Sequence, residues 1–258
     1  MNIFKLKSLY AGYHNKVVLK NINLEINKNE FIGLIGPNGA GKSTLVKVMA
    51  KLLPPQQGEV YFEDKPLKNY DNKSLAKKMS YVAQNLENLV PFKVIDFLKT
   101  GRFPFQKFLE DFSPKDKIII DEALQRTDIV HLKNRLISEL SGGELQLVRL
   151  ARSLVQSQDI IILDEPINGL DLKHTSQIMK VLRQLHQQKA TIITVLHDIN
   201  VAAEFCSRII AFKQGNFFLD GSPAEIITSK NIKTIYETDC LVEKNPVSGL
   251  PCVYPKFK

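Results

Sequence analysis

No stretch of this 258-residue sequence approaches the roughly 18 to 20 consecutive apolar residues that a bilayer-crossing helix needs. Its longest apolar runs, such as Ile160 to Leu163 and Ile192 to Leu196, have the length of strands. The segment Met1 to Tyr10 mixes charges with isolated hydrophobes and has neither an apolar h-region nor a small-residue cleavage site. A secretory signal is therefore not expected, and the cytosol is the default compartment. Cysteine is scarce. Cys206, Cys240 and Cys252 are an odd number with neither CxxC nor Cys/His ligand spacing, which argues for reduced thiols over a disulfide framework or a zinc site. Internal repeats, low-complexity segments and Gly/Ser linkers are missing too, so a single compact unit with inserted subdomains is expected.

What is present is ordinary globular composition, 44% hydrophobic and 24% charged, which excludes disorder of the whole chain. Thirty-five basic against 27 acidic residues give a net charge of +8, compatible with nucleotide, nucleic acid or acidic lipid headgroups as a partner. Charge alone chooses none of them. The basic clusters around Lys73, Lys77 and Lys78 and around Lys256 and Lys258 are sparse and lack the aromatic interleaving of a single-strand binding surface, which favours a solvated face.

The hydrophobic pattern points to an α/β fold. Val17 to Leu19 with Ile22, Leu24 and Ile26, and then Glu59 to Phe62, predict an antiparallel flank. Short apolar strands recur at Phe31 to Ile35, Ser80 to Val82, Ile160 to Leu163, Thr191 to Leu196 and Ile209 to Phe212, with helical patterns between several of them, which is the signature of a buried parallel sheet. From Leu86 to Leu140 the pattern is mostly helical, with a capped helix start at Ser113-Pro114 and Asp116. The tail begins at another capping box, Ser222 to Glu225, and reads as a helix and a few strands packed on the core.

Three motifs carry chemistry. Gly36-Pro37-Asn38-Gly39-Ala40-Gly41-Lys42-Ser43-Thr44 matches the phosphate-loop pattern in full, directly after one predicted strand and before a helical pattern. Its glycines let consecutive amides and a helix N-terminus face phosphate; Lys42 supplies a point charge to the β- and γ-phosphates, and the Ser43 hydroxyl suits magnesium. Ile160 to Leu163 then delivers Asp164 and Glu165 to the end of a buried strand, where α/β proteins bind ligands. Asp164 is placed to hold magnesium and Glu165 to orient or deprotonate an attacking water. Finally, Leu140-Ser141-Gly142-Gly143-Glu144 is a capping box whose two glycines leave the first-turn amides open to a phosphate, which would give the chain two anion sites.

Together these motifs resemble the ATP-binding cassette superfamily over nearly the whole chain and in the family's order. The resemblance implies a P-loop NTPase parallel-sheet core with an antiparallel β flank and an inserted helical subdomain. The core spans 1–85 and 155–221, the signature subdomain 86–154, and the tail 222–258. It implies Mg2+ and ATP, Tyr13 stacked on adenine, Gln84 sensing magnesium, Asp171 in the D-loop and His197 near the γ-phosphate. It further implies a second copy of the chain, in which Ser141, Gly142, Gly143 and Glu144 of one subunit close on the nucleotide of the other. Membrane permease subunits at the cytoplasmic face, an extracytoplasmic substrate-binding protein and no nucleic acid complete the expected partners.

Some positions depart from the family pattern: Leu145 and Leu147 stand where basic residues are usual, although Gln146 and Arg152 match, and the D-loop reads Asn168-Gly169-Leu170-Asp171, a tolerable variant. The segments Thr100 to Phe105, Thr194 to Ala203 and Asn245-Pro246 resemble bacterial importer ATPases for iron-siderophores, haem and cobalamin. Phe103, Phe105, Phe108 and Phe112 fit either a permease groove or subdomain packing. Alternatives are a cassette ATPase for another solute or for export, and a repair or chromosome ATPase, although the coiled coils or zinc insertions of the latter are missing. A translation-associated ATPase is disfavoured by the single signature, and a phosphate-loop kinase would leave the signature and His197 unexplained.

Overall fold

A computed structural model describes residues 2–14, 16–84, 92–107 and 111–256; Met1, Leu86, Phe108 and Lys258, which figure in the readings above, lie outside them. The chain forms two compact units, residues 1–69 with 191–258, and residues 70–190. The helical subdomain expected at 86–154 falls within the second.

In chain order the first unit begins with β1 (Asn2–Tyr13), β2 (Lys16–Asn27), β3 (Phe31–Ile35), α1 (Lys42–Met49), β4 (Gln57–Phe62) and β5 (Lys65–Pro66). The second holds α2 (Asn72–Lys78), β6 (Ser80–Val82), α3 (Val94–Lys99), α4 (Pro114–Arg126), α5 (Gly142–Gln156), β7 (Ile160–Asp164) and α6 (Leu172–Gln187). The first then resumes with β8 (Thr191–Val195), α7 (Ile199–Phe205), β9 (Arg208–Lys213), β10 (Asn216–Gly221), α8 (Pro223–Ile226), α9 (Ser229–Tyr236), β11 (Cys240–Lys244) and β12 (Pro251–Pro255).

In the first unit β3 lies between β8 and β9, parallel to both, and β10 closes the β9 edge antiparallel. All five residues of β3 and of β8 are buried, as expected for parallel strands covered on both faces. The antiparallel flank runs β2-β1-β4-β5. Its strand β1 has no counterpart in the sequence-based expectation. Register shifts between Leu6 and Leu9 and between Leu9 and Ala11, with Ser8 at φ 45°, break the apolar alternation that would reveal it. The tail forms α8, α9 and the β11–β12 hairpin. Asn200 of α7 clamps that hairpin by exchanging hydrogen bonds with Val253, accepting at 2.7 Å and donating at 3.2 Å.

In the second unit β6 runs parallel to β7, whose five residues are all buried. The predicted caps form as read. At α4 the Ser113 hydroxyl accepts from the Asp116 amide at 3.2 Å while the Asp116 carboxylate takes the Ser113 amide at 3.0 Å. Asp116 also accepts from Arg102 Nε at 2.6 Å, and Arg102 donates onward to the Val155 carbonyl at 3.0 Å, joining the segment after α3 to α4 and α5 through a buried ion pair.

Candidate functional site

The phosphate-loop residues stand between β3 and α1 in the first unit. The apolar strand stops at Gly36, whose φ of 138° suits glycine, and a Cβ there would run into the carbonyl oxygen of Phe212 on β9. Gly39 and Gly41 also have positive φ, and Asn38 and Gly39 are exposed at the crest of the loop. The N-cap of α1 is Gly41, whose lack of a side chain leaves the first-turn amides uncapped by one. Lys42 is buried, with its ammonium donating to the carbonyls of Gly36 at 2.6 Å and Pro37 at 2.9 Å. A cation is thereby held inside the curl of the loop. Thr44 and Ala40 are buried and Ser43 partly so.

The same unit carries Tyr13 and His197. Tyr13 ends β1, is 40% exposed and has the Lys47 ammonium 5.7 Å from its ring centroid. His197 is exposed just beyond β8, where the Asp198 side chain caps α7 by accepting from the Asn200 and Val201 amides at 2.8 and 3.0 Å.

The second unit holds the remaining predicted residues in two groups. At the end of β7, Asp164 is buried and accepts from the Tyr81 hydroxyl at 3.3 Å. Glu165 follows with φ 54°, uncommon for a residue with a side chain. Its carboxylate receives two amide donors on one oxygen, Gln84 Nε2 at 2.6 Å and Asn168 Nδ2 at 2.9 Å. Gln84 thus commits its nitrogen end to Glu165, which leaves the oxygen end as the one a cation would take.

The other group centres on α5. Ser141 and Glu144 form the predicted box, the Glu144 amide donating to Ser141 Oγ at 3.3 Å and the Glu144 carboxylate accepting the Ser141 amide at 2.8 Å. The amide and hydroxyl of Ser141 hold the Glu144 carboxyl below its ordinary value near 4.5. A carboxyl depressed by folding adds stability above its unfolded value and loses it as pH falls through the folded one. Glu144→Gln should therefore lower the melting temperature at neutral pH, with the gap from wild type closing as pH drops below about 4.5. Thermal melts across that range check it.

The two signature glycines turn out to have different reasons. A Cβ on Gly142 would meet nothing within 4 Å, so no local packing contact requires glycine there. A Cβ on Gly143 would collide with the His174 ring. His174 in turn places Nδ1 2.8 Å from Asp171 Oδ1, and the same carboxylate oxygen caps α6 by accepting the His174 amide at 2.8 Å. Asp171, exposed, is thereby tied to the signature helix through one imidazole. Gly143→Ala should destabilise the protein by about 1–3 kcal/mol through overpacking, and Gly142→Ala should be mild, as chemical denaturation will show.

Sequence reasoning missed Asn168, Arg149 and His174, which organise these groups, and Tyr236 of the first unit, whose hydroxyl accepts from the Gly36 amide at 2.9 Å. Arg149 NH1 donates to the Gln84 carbonyl at 3.2 Å and to Gln146 Oε1 at 3.1 Å, linking α5 to the Gln84 segment. Its partner stands 65 residues away, so no local pattern announces it. Leu147, one of the two leucines that depart from the family pattern, is buried. A basic residue at that position would have to be buried. Of the aromatic set, Phe103 is 58% exposed, while the Phe105 ring lies 3.8 Å from the Arg102 guanidinium carbon.

Comparison with known proteins gives concordant matches. The family model described as ABC transporter matches residues 19–168. The ferric enterobactin transport ATP-binding protein FepC of Escherichia coli (strain K12) is 34% identical over 96% of this chain and 92% of its own length. The petrobactin import ATP-binding protein FpuD of Bacillus anthracis is 32% identical over 98% of this chain and 93% of its own. Among solved structures, a dimeric ATP-binding cassette in a post-hydrolysis state with ADP and Pi superposes with a TM-score of 0.72 at 31% identity, covering 85% of this chain and 98% of that one.

Proposed function

The chain belongs to the ABC transporter family and is an ATPase of its P-loop cassette type, and from that premise we propose that it powers import of an iron-chelate type substrate (siderophore, haem or cobalamin) through a separate membrane permease. The observation that carries the cargo class is near-full-length similarity to transport ATP-binding proteins for ferric enterobactin and petrobactin. No helix among the described residues is long and apolar enough to cross a membrane, and we assign the substrate path to a separate permease subunit. We assign the chain to the cytoplasmic face of that permease, with an extracytoplasmic capture protein as an indirect partner.

The residues support a division of labour. In the first unit, Lys42 exchanges the Gly36 and Pro37 carbonyls for β- and γ-phosphate oxygens, and the amides from Asn38 to Thr44 cradle the same phosphates. Tyr13, which is exposed, offers its ring to adenine, and His197 contributes a donor to the transferring phosphoryl group. In the second, Glu165 takes the water's proton as general base, while Gln84 and Asn168 fix its carboxylate. Ser141, Gly142, Gly143 and Glu144 form the signature that receives a second copy's nucleotide, with Asp171 beside it.

For Mg2+ each unit offers hard oxygen donors of the right chemistry, the Ser43 hydroxyl in the first and the Gln84 amide oxygen and Asp164 carboxylate in the second. When bound, the ion would neutralise charge on the phosphates. Closure of two copies by bridging nucleotides, and reopening on hydrolysis, is a two-state element biased by a shared ligand.

Glu165→Gln protein carrying an affinity tag and purified from membranes with ATP in mild detergent should retain a polytopic permease. Recovery with nucleic acid, or with soluble partners alone, would move the chain to a non-transport role.

A further inference from the structure

The tail makes one contact that the family's motifs do not account for. The amide of Gly36, first residue of the phosphate loop, donates to the hydroxyl of Tyr236 at 2.9 Å, across 200 residues of sequence. Tyr236 is the last residue of α9, which is held from several sides. Ile232 and Ile235 bury its apolar face, Thr228 caps it by accepting the Asn231 amide at 3.2 Å, and Lys213 donates to the Thr234 carbonyl at 2.6 Å and pairs with Glu237 at 2.9 Å. The hydroxyl is delivered by an element that is anchored independently of the loop.

We propose that Tyr236 is a positioning residue for nucleotide binding, through which the C-terminal tail fixes the first peptide of the phosphate loop. Gly36 is engaged at both ends, its amide on Tyr236 and its carbonyl on the Lys42 ammonium. Its amide is therefore already used and is not one of those offered to phosphate; its part in the site is the bend and the purchase it gives Lys42. With the tether in place the loop enters binding already ordered. Without it the Gly36 amide loses its protein partner and the loop must be ordered by the ligand, a cost that falls on affinity. Burial pushes the Tyr236 phenol up to about 12, so it stays a neutral hydroxyl across the physiological range.

The inference rests on the loop being a nucleotide site, and the experiment separates the two. Tyr236→Phe removes only the hydroxyl. It should raise the Kd for Mg-ADP by calorimetry and the KM for ATP by roughly tenfold, with kcat changed less than about twofold. Tyr254→Phe, the same deletion on the exposed face of the β11–β12 hairpin, should leave both unchanged. A Tyr236→Phe protein that is folded and binds nucleotide like wild type, or that loses kcat at unaltered KM, overturns the proposal. A wild-type protein that binds no nucleotide overturns the underlying reading instead. Should Tyr236→Phe fail to fold, site-resolved amide exchange on the nucleotide-free wild type decides: slow exchange at Gly36 relative to Gly39 supports the tether, and equal rates refute it.

Discussion

Replacing Glu165 by glutamine is expected to lower ATP turnover by roughly 10²–10⁴-fold while ATP still binds. The substitution keeps the side chain's length and one oxygen, so the Gln84 and Asn168 amides retain an acceptor, but it removes the only group at the end of β7 assigned to take a proton from water. The left-handed backbone at Glu165, φ 54°, costs of order 1 kcal/mol or more for a side-chain-bearing residue. That cost sits where Gln84 and Asn168 converge on one carboxylate oxygen. With hydrolysis blocked, the ATP-bound state should accumulate as a dimer in size-exclusion chromatography. Turnover equal to wild type would remove Glu165 from its role.

Lys42→Ala should act on the phosphates themselves, with hydrolysis falling by about 10²–10³-fold and nucleotide affinity weakened in parallel. The ammonium is buried and already oriented by two carbonyls, so little reorganisation is needed when phosphate oxygens take their place. Alanine removes that charge and also leaves the Gly36 and Pro37 carbonyls without their shared donor, so a modest fall in melting temperature should accompany the kinetic loss. Arginine is no substitute, because its planar fork does not fit where a point charge sits between two adjacent carbonyls. Nucleotide titration alongside a thermal melt separates the two effects. Wild-type hydrolysis in Lys42→Ala would mean that the loop does not hold the reacting phosphate.

The parts of the site that were legible in the sequence are those whose chemistry is local. Gly36 to Thr44 needs its residues in consecutive order, Asp164 and Glu165 must follow a buried strand directly, and the boxes Ser113/Asp116, Ser141/Glu144 and Ser222/Glu225 join residues one helical turn apart. The buried strands were visible for the same reason. β1 was hidden by its own bulges, which shift the alternation before a run is long enough to read. Tyr236 and Arg149 escaped because their partners lie 200 and 65 residues away. His174 was hidden differently. The adjacent glycines suggested one shared purpose, open amides, whereas the space over Gly143 is filled by an imidazole from the following helix.

The most direct measurement is uptake of radiolabelled iron, supplied as ferric siderophores or haem, and of labelled cobalamin, by cells whose own copy of this chain carries Glu165→Gln. The account predicts loss of uptake for one of these chelates, with recovery when the wild-type chain is restored. Unimpaired uptake of every one of them would contradict it.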